Sequence, residues 1–151
     1  WDNIALNGKI ATQKYTYYSG QMIQAGVLLY KETGDESYLT DAQRTAKGSF
    51  DHFTSMRKLP NGKAIRFYTS SPWFNVIMFR GLKALYEVDG NALYVNTMAD
   101  NARYAWKNTR DENGLLGDDW SGLKNKKHKW LLDNACMLEL FSEMSGLPKT
   151  N

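Results

Sequence analysis

Residues 28–39 read LLYKETGDESYL, and residues 84–95 read ALYEVDGNALYV. Superposed at a constant spacing of 56 residues, they pair Leu29 with Leu85, Tyr30 with Tyr86 and Gly34 with Gly90. Asp35 then meets Asn91, Tyr38 meets Tyr94 and Leu39 meets Val95. In each copy an apolar helical pattern runs up to a glycine and a second helical pattern starts directly behind it. Glycine relaxes easily into the left-handed conformation that closes a helix. The Asp or Asn beside it can accept hydrogen bonds from the amides that open the next helix. The unit is a helical hairpin: an inner helix, a tight turn and an outer helix. The match extends outward to Ala46 with Ala102 and Phe50 with Trp106. A repeat of this length means hairpins that bury their faces on one another, so the expected fold class is all-α.

Five main helices follow from the periodicity. The first covers about residues 19–33, with Met22, Ile23, Gly26, Leu29 and Tyr30 as its apolar stripe. The second covers about 37–53, with Leu39, Ala42, Ala46, Phe50 and Phe53 inward. The third opens with Ser71 as N-cap and Pro72 at the first helical position, and buries Phe74, Ile77, Met78, Gly81, Leu82 and Leu85. The fourth covers about 92–108, facing inward through Val95, Met98, Ala102 and Ala105, and the fifth about 130–145. Pro60-Asn61-Gly62 marks a turn, and Ile65 and Phe67 around Arg66 suit a short extended piece. In the fifth helix Leu140, Phe141 and Gly146 echo Leu29, Tyr30 and Gly34, but no outer helix follows. Residues 1–151 therefore read as a single partial domain of a longer array. Inner-helix faces left bare by such a partial array make self-association an expectation.

Composition narrows the function classes. Nineteen basic and 16 acidic residues leave a net charge of +3, too balanced for a nucleic-acid binder. The one basic run, residues 124–129 (KNKKHK), has no interleaved aromatics and reads as a solvated loop. The lone Cys136 lies in an apolar helical stretch and reads as a small buried hydrophobe. With His52 and His128 as the only histidines, a His/Cys metal site is not expected. No apolar run reaches about 18 residues, so no membrane span is expected. No signal peptide is visible, and a start at Trp1 rather than Met suggests an excised piece.

Aromatics are abundant, with five Trp and nine Tyr, and their placement is informative. Each inner helix follows a long connection and each outer helix a short turn, so the long connections gather at the N-termini of the inner helices. They read KYTYYSGQ (14–21), RFYTSSPWF (66–74) and LGDDWSG…KWLLD (116–133). Rings, hydroxyls and carboxylates in one place suit carbohydrate, whose C–H faces stack on aromatic rings and whose hydroxyls need donors and acceptors. Tyr17, Ser19, Gln21, Trp73, Asp119 and Trp120 are the expected lining. The competing readings are a non-catalytic carbohydrate-binding protein and a helical-repeat scaffold for protein partners. A sugar isomerase or epimerase is weaker, because His52 sits on an outer helix and His128 in the basic loop.

YTYYSGQMIQAGVLLYKETGDESYLTDAQRTA (15–46), WFNVIMFRGLKALYEVDGN (73–91), YAWKNTRDENGLLGDDWSG (104–122) and KWLLDNACMLELFSEMSG (129–146) together resemble glycoside hydrolase family 76, the bacterial and fungal α-1,6-mannanases. The version here looks most like those of gut Bacteroides-type bacteria. The resemblance implies an (α/α)6 toroid of six hairpins, of which this chain would supply the C-terminal half. It implies action on α-mannan with retention of configuration, through two adjacent aspartates and without metal or cofactor. It also implies an extracytoplasmic location: secreted, cell-surface or periplasmic. The family's catalytic aspartates lie in a motif ahead of the region matching Tyr15, and no stretch here matches it. Asp118-Asp119 is a tempting substitute, since a retaining glycosidase needs two carboxyl groups about 5–5.5 Å apart. However, GLLGDDWSG is similar to a later Gly-x-Asp-Trp-x-Gly region of the family, where substrate contact or loop ordering is the expected role. Asp133, near the start of the fifth helix, could touch sugar or simply complement the helix N-terminus. One departure stands out: Tyr18 occupies a position where the family carries Asn, in Tyr17-Tyr18-Ser19-Gly20.

Overall fold

The structure is a computed structural model that describes residues 3–124 and 128–147. Part of the basic run 124–129 therefore lies outside the described residues. Seven elements follow in order: α1 (Thr16–Thr33), α2 (Glu36–Phe53), β1 (Thr54–Lys58), β2 (Ala64–Tyr68), α3 (Pro72–Asp89), α4 (Leu93–Asn108) and α5 (Leu131–Met144). The fold is mostly helical, with one small sheet among the described residues. No described helix is long and apolar enough to cross a membrane.

The repeat holds at the level of single hydrogen bonds. Gly34 and Gly90 both take φ of 72°, and their amides donate to Tyr30 O at 2.8 Å and Tyr86 O at 2.9 Å. Asp35 Oδ1 accepts from Ser37 N at 2.9 Å, and Asn91 Oδ1 accepts from Leu93 N at 3.2 Å. Each turn thus closes one helix through a glycine and opens the next through the side chain behind it.

α1, α3 and α5 run parallel and in register as an inner layer. Lys31 near the end of α1 lies 3.9 Å from Glu87 near the end of α3. Along the other seam Arg80 Nε donates to Glu139 Oε1 at 2.7 Å, and Lys83 Nζ to Glu143 Oε2 at 2.7 Å. The α1–α3 seam is closed by backbone: a Cβ on Gly20 would overlap Met78 Cα, and one on Gly81 would overlap the Gly20 carbonyl. α2 packs on α1 where Gly26 faces Tyr38 O and Ala42. Ile23, Val27, Ala42, Ala46, Val76, Met78, Phe79, Leu82 and Leu85 belong to one continuous core, which Val95, Met98, Ala99, Ala102 and Ala105 of α4 join. Burying each of the larger aliphatic chains contributes about 1.5–3 kcal/mol.

The α1 stripe differs from expectation. Thr16, Gly20, Ile23 and Val27 are buried, whereas Met22 and Leu29 are exposed. α1 and α5 are the edges of the inner layer, and each leaves one apolar flank bare: Met22, Leu28 and Leu29 on α1, and Leu131, Leu132 and Leu138 on α5. The middle helix α3 has no exposed large apolar side chain.

The extended piece around Ile65 and Phe67 is β2, paired antiparallel with β1 in the register Thr54↔Tyr68 to Lys58↔Ala64. Two strands alone are marginal in water. This pair is held by burial of Phe67 and Tyr68 and by Asn101 of α4. Asn101 Oδ1 accepts from Tyr68 N and its Nδ2 donates to Arg66 O, each at 2.9 Å. β1 (TSMRK) escaped the sequence reading because it carries no alternation of apolar residues.

Candidate functional site

The N-termini of the inner helices meet at one end of the layer. Tyr17 of α1 and Trp73 of α3 stack with ring centroids 6.1 Å apart and planes inclined by 14°. Phe74 lies 4.0 Å from Trp73 and 4.7 Å from Tyr17, and Tyr15 lies 5.6 Å from Tyr17. Tyr18 adds a fifth ring, 4.1 Å from Tyr17. Helical register alone puts these rings together, because Tyr17 and Trp73 are repeat-equivalent positions on parallel helices held together at Gly20 and Gly81.

α5 joins the same end through a side-chain bond. Ser71, the N-cap of α3, makes no side-chain bond to its own helix; its Oγ donates to Asp133 Oδ1 at 3.1 Å. Asp133 is buried in the first turn of α5, where the helix amides favour a negative charge. Ser71, Trp73, Asp118, His128, Trp130 and Asp133 line a cleft of about 250 Å³. Trp130 is 65% exposed, leaving its ring open to a ligand.

The loop that brings Asp118 there is ordered by its own polar groups. Asp119 Oδ1 accepts from Ser121 N at 3.0 Å and Ser121 Oγ at 2.6 Å, and its Oδ2 accepts from Lys124 N at 2.8 Å. Asn134 of α5 holds the loop from below, accepting from Leu116 N at 2.9 Å and donating to Leu116 O at 3.2 Å. Leu116 and Trp120 are buried beneath it.

The expected lining residues thus divide. Tyr17 and Trp73 come together. Ser19 and Gln21 line a separate cavity of about 480 Å³ with Gln13, Lys14, Tyr15 and Tyr18. Asp119 spends both carboxylate oxygens on its loop. Trp120, 3% exposed, serves as the loop's anchor and has no ring face turned to the cleft. Asp118, the other member of the pair, faces the cleft with Trp73. Trp130 and His128 are absent from the expected lining, yet both face this cleft. Both belong to the KWLLD connection already placed at this end. Cys136 is half-buried, and burial foremost, then Glu139 and Asp133, push its thiol pKa up against the pull of Arg80; a thiol so disposed is a poor nucleophile.

The sequence profile of glycosyl hydrolase family 76 matches residues 1–148. The chain belongs to that family. A family 76 glycoside hydrolase from a bovine Bacteroides thetaiotaomicron strain superposes with a TM-score of 0.83 at 30% identity, over 91% of this chain and 30% of that one. A family 76 mannosidase from Bacteroides thetaiotaomicron superposes at 0.81 and 30% identity, over 91% of this chain and 38% of that one. A Listeria innocua protein, 22% identical, shares the fold at 0.67 over 87% of this chain and 38% of its own. No curated protein sequence gives a significant match. This family 76 chain therefore spans only about a third of the solved relatives it resembles. Its five described helices are part of their (α/α)6 toroid.

Proposed function

We propose that the complete protein carrying this chain hydrolyses α-mannan at α-1,6 linkages, and that residues 1–151 are a single partial domain supplying one wall of the glycan cleft. The observation that carries the reading is the stacked Tyr17–Trp73 pair beside a carboxylate-lined cleft. Family membership supports a glycan-active hydrolase, and a mannosidase among the relatives supports mannan. Aromatic faces would take the apolar side of each sugar, while hydroxyl and carboxylate groups would take its edge. The acid and the nucleophile would come from segments outside this chain, because no stretch of it matches the family's adjacent-aspartate motif. A polymeric glycan substrate also fits an extracytoplasmic location.

The test is incubation of the complete protein with α-1,6-mannan and with α-1,2- and α-1,3-linked mannans, followed by chromatography of the products. Shortened α-1,6 oligosaccharides are expected. Binding without any product would favour a non-catalytic carbohydrate-binding protein. Tyr18 lends that second reading support, since a ring packed on Tyr17 replaces an amide that could bond sugar.

A further inference from the structure

The dipeptide Asn-Gly occurs three times, at 7–8, 61–62 and 113–114. All three copies fold into the same turn. The glycines take φ of 78°, 83° and 78°, and their amides donate to the carbonyls of Ala5, Leu59 and Asp111. The amides of those same residues donate back across the turn to the carbonyls of Lys9, Lys63 and Leu115. The asparagine side chains differ. Asn7 Oδ1 accepts from Lys9 N and Asn61 Oδ1 accepts from Lys63 N, each at 3.1 Å. At the third turn an aspartate takes that role: Asp111 Oδ1 accepts from Leu115 N at 2.9 Å and from Asn113 N at 3.0 Å. Asn113 is exposed, and its side-chain amide has no hydrogen-bond partner among the described residues.

We propose that Asn113 is a site of self-modification, at which the Gly114 backbone nitrogen attacks the Asn113 side-chain carbonyl and the amide becomes an acid. The bond from Gly114 N to Asn113 Cγ forms and the bond from Cγ to Nδ2 breaks. The Gly114 amide proton leaves with Nδ2 as ammonia, and a cyclic imide remains. Water then opens the imide at either carbonyl, giving aspartate or its isomer with the main chain rerouted through Cγ. Glycine permits the approach because it has no Cβ beside the attacking nitrogen. Swinging the side chain onto that nitrogen breaks a hydrogen bond at Asn7 and at Asn61, and none at Asn113. One bond fewer to break makes the reaction at Asn113 roughly two- to tenfold faster. Asn61 is the matched comparison, because a buried leucine anchors each turn, Leu59 at one and Leu116 at the other. Residues 3–10 are all exposed, so nothing buried holds the Asn7 turn shut. Rerouting the chain at Asn113 disrupts the Asp111–Leu115 pairing, directly ahead of the loop that carries Asp118 and Asp119.

The test is incubation of the complete protein in mildly alkaline buffer, with mass spectrometry of its proteolytic peptides over time. Asn113 should convert to aspartate and isoaspartate roughly two- to tenfold faster than Asn61. In denaturant the difference should vanish, because the turns no longer exist. Asp111→Ala gives the third turn the residue that the first turn has at Ala5. It releases the Leu115 amide to Asn113 Oδ1 and should slow Asn113 to the rate of Asn61. Conversion of Asn113 in the native parent no faster than that of Asn61, or absent altogether, overturns the proposal. So does a difference that persists in denaturant, which would place the cause in the local sequence. An Asn113 rate that Asp111→Ala leaves unchanged or raises overturns it as well.

Discussion

Gly81 of α3 rests on the carbonyl of Gly20 of α1 with no side chain between them. This backbone contact sets the distance between the two helices whose first turns carry Tyr17 and Trp73. Gly81→Ala should force the helices apart at a cost of about 1–3 kcal/mol, the usual range for overpacking. Thermal unfolding measures it, and Gly48→Ala is the control, because a Cβ there meets nothing within 4 Å.

The two turn caps differ in one property that experiment can isolate. Burial is absent at Asp35, but the Ser37 amide first, and the Ser37 hydroxyl second, hold its carboxyl below the usual aspartate range. A group with a depressed folded pKa stabilises fully above its unfolded pKa and stops doing so as pH falls through the folded value. The loss from Asp35→Ala should therefore be constant at neutral pH and vanish in acid, below the ordinary aspartate range. Asn91→Ala removes an uncharged acceptor one residue ahead of the α4 cap, costs at most about 1 kcal/mol and shows no such pH dependence. Melting temperatures of both variants, followed from neutral pH into acid well below the ordinary aspartate range, check the contrast.

Asn101 holds the edge of β2 with both ends of its amide. Asn101→Leu preserves its volume but leaves the Tyr68 amide and the Arg66 carbonyl without that partner. The expected cost is about 1–3 kcal/mol for the buried Tyr68 amide so stranded, and less for the Arg66 carbonyl, which water can reach. Hydrogen exchange should show the Tyr68 amide losing protection before the core of α3 does. Equal protection in variant and parent would mean that the hairpin is held by Phe67 and its burial alone.

The bare flanks of α1 and α5 lead to a solution prediction. Expressed by itself, the 151-residue chain should bind a hydrophobic dye and self-associate, because Met22, Leu29, Leu131 and Leu138 lie open to water. Replacing Leu131 and Leu138 by Gln should reduce both signals. Sedimentation and dye fluorescence measure them; a monomer that ignores the dye contradicts the expectation.

Much of this was legible in the sequence, for physical reasons that also explain the gaps. The glycines of the two turns announce themselves because so few residues tolerate positive φ, and Gly34 and Gly90 sit where the 56-residue repeat places them. Burial did not follow from the repeat. Leu85 is 1% exposed while its equivalent Leu29 is 45% exposed, because α3 has a neighbour on each side and α1 on only one. Periodicity within one segment cannot register how many helices flank it. Nor could it tell that the Ser71 hydroxyl would leave its own helix for Asp133, a partner 62 residues away. At the site, Trp73 was readable because it stands at a repeat-equivalent helix start. Trp120 and Trp130 both fall in one irregular loop, where composition alone does not separate the buried anchor from the exposed face.

Glycan binding at the aromatic end of the inner helices is the central proposal. The most direct test is the affinity of the complete protein for α-1,6-mannohexaose, measured by calorimetry for the parent, Trp73→Ala and Lys31→Ala. Lys31 sits at the opposite end of α1, in an exposed ion pair with Glu87. The account predicts at least about a tenfold loss for Trp73→Ala and no change for Lys31→Ala. Unchanged affinity in Trp73→Ala, or an equal loss in both variants, would contradict it.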